Sequence, residues 1–300
     1  MKPINSLRNI LFGLFTLFPS GSLNKYCINI SKDMPVKVTC KELKMPKSII
    51  VFDDFSDKCI DINNDSIYDT THGELVSQII KAELPNSCIK KIDVMIFSDN
   101  STKLRNNNQI DKLLNTKYDA ANLSVGFSMG IGELSERVGM KLTKENIASK
   151  VKEIKQYFRD NPQKYLATIN GMDLKMGHIN EFFKGMDSLS ANGTKFYVSA
   201  SNAGSNYLNL ASFIDNAKVI GAADTKGIKY YSGYNSLVKR FCSDSVKITK
   251  IDGGYSINGS KIKAFDDKQV TVYSKEPYPY TYRGTSFSSP RILALDLKIK

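Results

Sequence analysis

The chain has 300 residues, 41% hydrophobic and 24% charged, the balance of a globular chain able to bury one full core. Its 42 Lys and Arg against 30 Asp and Glu give a formal charge of +12, yet basic runs are as short as Lys90-Lys91 and Lys239-Arg240, without a stripe of interleaved aromatics. Nucleic acid is therefore not an expected partner, and the excess of lysine reads as a solvated surface.

Residues 1–22 stand apart. Lys2 and Arg8 precede the apolar run from Ile10 to Phe18, and Pro19, Ser20, Gly21 and Ser22 follow it. A charged start, a nine-residue apolar middle and a small-residue exit predict a signal peptide, too short to span a bilayer. The expected location is secreted or periplasmic. An uncleaved membrane tether is the alternative, because no alanine-type cleavage site is present. Export would bring Cys27, Cys40, Cys59, Cys88 and Cys242 into an oxidising compartment, and an odd number leaves at least one thiol over or bridging to another chain. There is no CxxC and no Cys/His cluster with metal spacing, so neither a metal nor a cofactor is expected.

After a polar lead-in at 23–46, the main domain is expected over 47–300. Ile49-Ile50-Val51-Phe52 is a continuous, largely β-branched apolar run that predicts a strand buried on both faces of a parallel sheet. It ends in Asp53-Asp54-Phe55, and open α/β sheets place their sites at the carboxyl ends of strands. On this stretch alone a turn aspartate serves as well. Thr71-His72-Gly73-Glu74 then leads into Leu75, Val76, Ile79 and Ile80 at helical spacing, which puts His72 at the head of an amphipathic helix. A capping or core histidine is the ordinary reading, and a general base the functional one.

Ile92–Phe97 is expected as a second strand, about 109–117 as a helix, and Ala120–Gly126 as a strand ending in a small polar turn. Between about 133 and 177, Ile147, Val151, Ile154 and Phe158 recur at helical spacing among Lys and Glu, predicting a helical insertion. A solvated helical excursion is preferred there over a lid or a partner surface. A helix over 179–189 closes at Gly193, and the strand Lys195–Ala200 runs into Ser201-Asn202-Ala203-Gly204. Asn202 in that place is either a turn former or a donor to developing charge. Val219–Ala223 is another strand, and residues 246–275 alternate in β fashion. The sum is an α/β fold: a doubly wound, mostly parallel sheet with helices on both faces and a helical insertion. Without an internal repeat or a linker, one domain is expected.

Gly284-Thr285-Ser286-Phe287-Ser288-Ser289-Pro290 opens the last apolar stretch, Ile292-Leu293-Ala294-Leu295. A serine is a poor nucleophile unless a base takes its proton, a turn exposes its oxygen and donors await the oxyanion. At the first turn of a buried helix, Ser286 would have backbone N–H groups beside it that lack intrahelical partners. Taken alone, the stretch reads equally as a Ser/Thr-rich helix cap.

Asp, His and Ser in that order, each at the edge of a core element with an Asn between the last two, resemble the subtilisin-like serine proteases, the subtilases. The resemblance runs from about Ile49 to Pro290. It is carried by Gly284–Pro290, close to that family's nucleophile motif, by the His-Gly-x-x-Val pattern at His72–Val76, and more weakly by Asn122–Gly126 and Ser199–Asn202. It implies an exported serine endopeptidase in which Ser286 attacks a peptide carbonyl, His72 shuttles the proton and Asp53 holds the imidazole. Asn202 and the Ser286 N–H would receive the oxyanion, while Ser124, Val125 and Gly126 would pair with the extended backbone of a peptide or protein substrate. Two departures stand out. Asp54-Phe55 replaces the family's small residue and glycine, so Asp54 stays an alternative to Asp53, which is preferred because it directly ends the apolar run. Ser201 stands where a glycine is usual. A catalytically impaired, subtilase-shaped binding or scaffold protein is the alternative function.

Overall fold

A computed structural model of the chain describes residues 47–55, 71–94, 113–124, 128–161, 166–169, 172–224, 227–244, 247–251, 254–258, 264–266, 273–274 and 284–298. The expected signal peptide and lead-in lie outside the described residues, as do Val125 and Gly126. In chain order the elements are β1 (Ser48–Asp53), α1 (His72–Glu83), β2 (Cys88–Asp93), β3 (Ala120–Leu123), β4 (Ser128–Gly130), α2 (Ile131–Val138), α3 (Val151–Asp160), β5 (Leu166–Ile169) and β6 (Met172–Lys175). There follow α4 (Met176–Ala191), β7 (Lys195–Ser199), β8 (Tyr207–Asn209), β9 (Lys218–Asp224), β10 (Gly227–Lys229), β11 (Val238–Cys242), β12 (Lys247–Ile251), β13 (Gly254–Asn258), β14 (Ala264–Asp266), β15 (Tyr273–Ser274) and α5 (Thr285–Lys298).

The main sheet runs β14-β11-β9-β7-β3-β1-β2, with β10 and β15 branching from β9. From β2 to β11 every pairing is parallel, and β14 joins antiparallel at the edge. This is the α/β, mostly parallel arrangement expected. Ile50, Phe52, Leu123, Phe196 and Val198 share a core with side chains of α2, α3 and α4, while Ile49, Val51, Tyr197 and Ile220 share the opposite one with α1 and α5. Helices thus cover both faces, which is why the central strands are buried along nearly their whole length, Asn122 of β3 included.

The strand order reverses at β1, with β2 on one side and β3 on the other. At such a switch point the connections leave in opposite directions and open a crevice beyond the carboxyl ends of the strands. Asp53 ends β1, Ser124 follows β3, and Asn202 lies just past β7, all on that rim.

Three stretches differ from expectation. The second strand begins at Cys88, in register with Ser48, because an edge strand tolerates Lys90-Lys91, of which Lys91 is exposed and pairs with Glu74 of α1. The insertion expected to be helical is so in α2 and α3, but then closes in the antiparallel hairpin β5–β6. It is also no solvated excursion, since Leu134, Ile154 and Phe158 lie in the same core as the sheet. Finally, β11 joins β9 in parallel, hidden in the sequence by its exposed Lys239, by Arg240, which reaches Asp296 of α5, and by a register shift between Val238 and Arg240.

Candidate active site

The local chemistry of Thr71-His72-Gly73 fixes the first half of the site. Thr71 is extended and its Oγ1 accepts from the Glu74 N–H at 3.1 Å, capping α1 so that His72 is its first residue. The Gly73 N–H donates to the Asp54 carbonyl at 2.9 Å. A Cβ at Gly73 would stand 2.8 Å from that carbonyl oxygen and 2.6 Å from Cε1 of Phe55, so only glycine lets α1 start this close to the end of β1. The consequence is a 2.6 Å hydrogen bond between His72 Nδ1 and Asp53 Oδ1. The Asp54 N–H donates to the same oxygen at 2.8 Å, so Asp54 supports the pair through its backbone while the carboxylate of Asp53 meets the ring.

Since a carboxylate only accepts, Nδ1 carries the ring proton and Nε2 of the neutral imidazole keeps its lone pair. Asp53 is fully buried and its Oδ2 has no partner among the described residues. Burial pushes its carboxyl above the usual range, against the pull of His72 and the Asp54 N–H. Burial opposes the charged form of His72 as well, but the charge and hydrogen bond of Asp53, with the charge of Asp54, outweigh it and raise the imidazole pKa.

The second half of the site is the start of α5. Ser286 is the second residue of that helix and Phe287 the third, and the Phe287 ring lies 5.6 Å from the His72 ring, centroid to centroid. No hydrogen bond joins Ser286 Oγ to His72 in this structure, whose ring is held by Asp53. Asn202 Oδ1 accepts from the Thr285 N–H at 2.8 Å and from Thr285 Oγ1 at 2.9 Å. Two donors on one oxygen fix the amide, and Nδ2 is turned towards Gly284. A Cβ on Gly284 would lie 3.0 Å from Asn202 Nδ2 and 3.2 Å from Ser286 Oγ. The gap between hydroxyl and amide donor, about one carbon wide, therefore exists because residue 284 has no side chain.

Ser201, in the place where glycine is usual, has φ 110°. That backbone costs a residue with a Cβ about 1–3 kcal/mol and persists only where surroundings impose it. Here its Oγ pairs with Ser128 Oγ at 2.8 Å and accepts from the Ala203 N–H at 3.2 Å, while its carbonyl accepts from the Gly233 N–H at 2.9 Å.

Of the residues expected to bind substrate, Ser124 is buried and its hydroxyl donates to the Ser286 carbonyl at 2.8 Å. Asn122 and Ser289 join it in a buried network; both lie in the motifs quoted from the sequence, which did not reveal these partners. The signal available was an asparagine in the apolar run Ala120-Ala121-Asn122-Leu123, since a buried amide must find partners. Among the described residues no group of three or more His, Cys, Asp or Glu could hold a metal, and no helix is long and apolar enough to cross a membrane. Cys88 is disulfide-bonded, whereas Cys242 is a free thiol that burial pushes up to about 11.

No family model matches the chain, and neither does any curated protein. Among solved structures it is similar to a lanthipeptide protease, at 11% identity and TM-score 0.43 over 83% of this chain and 71% of that one. It is similar to the prenylagaramide maturation protease PagA at 15% identity and TM-score 0.45, over 84% of this chain and 76% of that one. It is also similar to the epidermin leader peptide processing serine protease EpiP from Staphylococcus aureus, at 13% identity and TM-score 0.46 over 83% of this chain and 64% of that one.

Proposed function

We propose that the chain is an exported serine endopeptidase of the subtilase type. The observation that carries this is the 2.6 Å Asp53–His72 pair standing beside a helix start where Ser286 Oγ and Asn202 Nδ2 border one small gap. In the proposed reaction Ser286 Oγ attacks the carbonyl carbon of a peptide bond as His72 Nε2 takes its proton. The tetrahedral oxyanion settles between Asn202 Nδ2 and the Ser286 N–H, and the imidazolium, steadied by Asp53, protonates the departing amine. Water, activated by the same imidazole, then hydrolyses the acyl-enzyme. The absence of a Ser286–His72 hydrogen bond fits a free enzyme, since catalytic hydrogen bonds often tighten only when substrate is bound. Substrate backbone would add as a strand along 124–126. The apolar stretch at 10–18 would direct export, by a cleaved signal or an uncleaved tether.

A second reading, a subtilase-shaped binding protein without turnover, is favoured by the same missing Ser286–His72 bond. Digestion of a peptide library separates the two. The protease reading expects defined cleavages by the wild type and none by Ser286→Ala or His72→Ala. Binding without cleavage by the wild type would leave the scaffold reading standing.

A further inference from the structure

We infer that Ser124 and Asn122 are positioning residues that hold the nucleophile by its own carbonyl, replacing a hydrogen bond that Pro290 removes from α5. The inference rests on the protease reading of Ser286.

In an α-helix the carbonyl of residue i accepts from the N–H of residue i+4. For Ser286 that partner is Pro290, which lies inside α5, has no N–H, and turns its ring towards that carbonyl. A buried carbonyl without a donor is costly. Ser124 Oγ supplies the donor, at 2.8 Å.

The rest of the network fixes the direction of that hydroxyl proton. Ser289 Oγ donates to Asn122 Oδ1 at 2.9 Å, which orients the amide. Asn122 Nδ2 then donates to Ser124 Oγ at 2.8 Å, and the Ser124 proton is left for Ser286. Asn122, Ser124 and Ser289 are all buried, so water does not compete. On the other side of Ser286, the Thr285 N–H is held by Asn202. The peptide unit that follows the nucleophile and the one that enters Thr285 are thus tied to two different strand ends, those of β3 and β7. Such double tethering sets the direction of the Ser286 Cα–Cβ bond, and hence where Oγ stands, ahead of the chemistry.

The test is a double-mutant cycle on the full chain, with Ser124→Ala, Pro290→Ala, the pair together, and Ser124→Thr, read as kcat and KM on one peptide substrate and as melting temperature. Ser124→Ala should lower kcat about tenfold or more with KM within about twofold, from a buried acceptor left unsatisfied. Ser124→Thr should retain activity because it keeps the hydroxyl. In the Ser124→Ala background, Pro290→Ala returns an N–H to the helix and should regain most of the lost kcat and part of the lost melting temperature. A substrate contact or plain packing at Ser124 would not be rescued from position 290. Wild-type kcat in Ser124→Ala, a loss confined to KM, or no coupling between the two positions would each overturn the inference. An inactive wild type would refute the protease reading instead, and the melting-temperature cycle would still decide whether the Pro290 coupling exists.

Discussion

At the scale of single residues the site turns on charge and hydrogen-bond direction. Only the neutral ring of His72 accepts a proton, and Asp53 raises its pKa, so activity should fall as pH drops through a value above the ordinary histidine pKa of about 6.5. Asp53→Asn removes the charge that lifts the ring. It should move this acid limb to lower pH and reduce kcat by about 10³–10⁴-fold, as a pH–rate profile would show. An unmoved limb would mean that another group titrates. Asn202→Ala should cost about 10²–10³-fold in kcat with little change in KM, because the amide faces the nucleophile's gap rather than a binding strand. His72, Ser286, Asp53 and Asn202 could be picked out of the sequence only as a set, through the resemblance to the subtilases, since each stretch alone reads equally as a turn or a cap. The hydrogen bonds of Ser124 to Ser286 and of Ser289 to Asn122 were not legible, because these partners lie 162 and 167 residues apart along the chain.

Elements bring these residues together, and small side chains decide how closely they approach. Gly73→Ala would drive a methyl group into the Asp54 carbonyl and the Phe55 ring. Overpacking of this kind costs about 1–3 kcal/mol, and a shifted α1 would carry His72 off Asp53. Denaturant unfolding together with kcat should show both losses, and a normal kcat in a destabilised protein would contradict the coupling. The turn after β7 stores strain of the opposite sort. Ser201→Gly relieves the φ of 110°, whereas Ser201→Ala keeps it, and both lose the bond to Ser128. The glycine variant should therefore be the more stable by about 1–2 kcal/mol in urea titration. Of the elements, β1, β7, β9 and α1 were readable because burial on both faces or helical periodicity leaves an unbroken pattern. Edge strand β2 and strand β11 carry lysine and arginine, which hide a strand from an apolar reading.

For the whole molecule, the sequence disclosed the class of fold through its two-faced strands, while the order of those strands had to come from the register of pairing. That order places the reversal at β1 and so gathers the ends of β1, β3 and β7 on one rim. Helix α5 is held across this sheet at its far end by Asp296, whose carboxylate accepts from Tyr197 Oη at 3.0 Å, Lys218 Nζ at 2.5 Å and Arg240 Nη1 at 2.6 Å. Partial burial would raise its pKa, but these three donors outweigh it and hold the carboxyl below the usual range. A carboxyl depressed on folding stabilises above its unfolded pKa and loses that contribution as pH falls through the folded one. The helix that carries Ser286 at its near end is thereby anchored through β7, β9 and β11.

The most direct measurement is covalent labelling of the full chain with a serine-directed phosphonate, the adduct mapped by mass spectrometry. The triad mechanism predicts one adduct, on Ser286, with labelling strongly slowed in His72→Ala and Asp53→Asn. Labelling of a different serine, or of Ser286 at the same rate in His72→Ala, would contradict it.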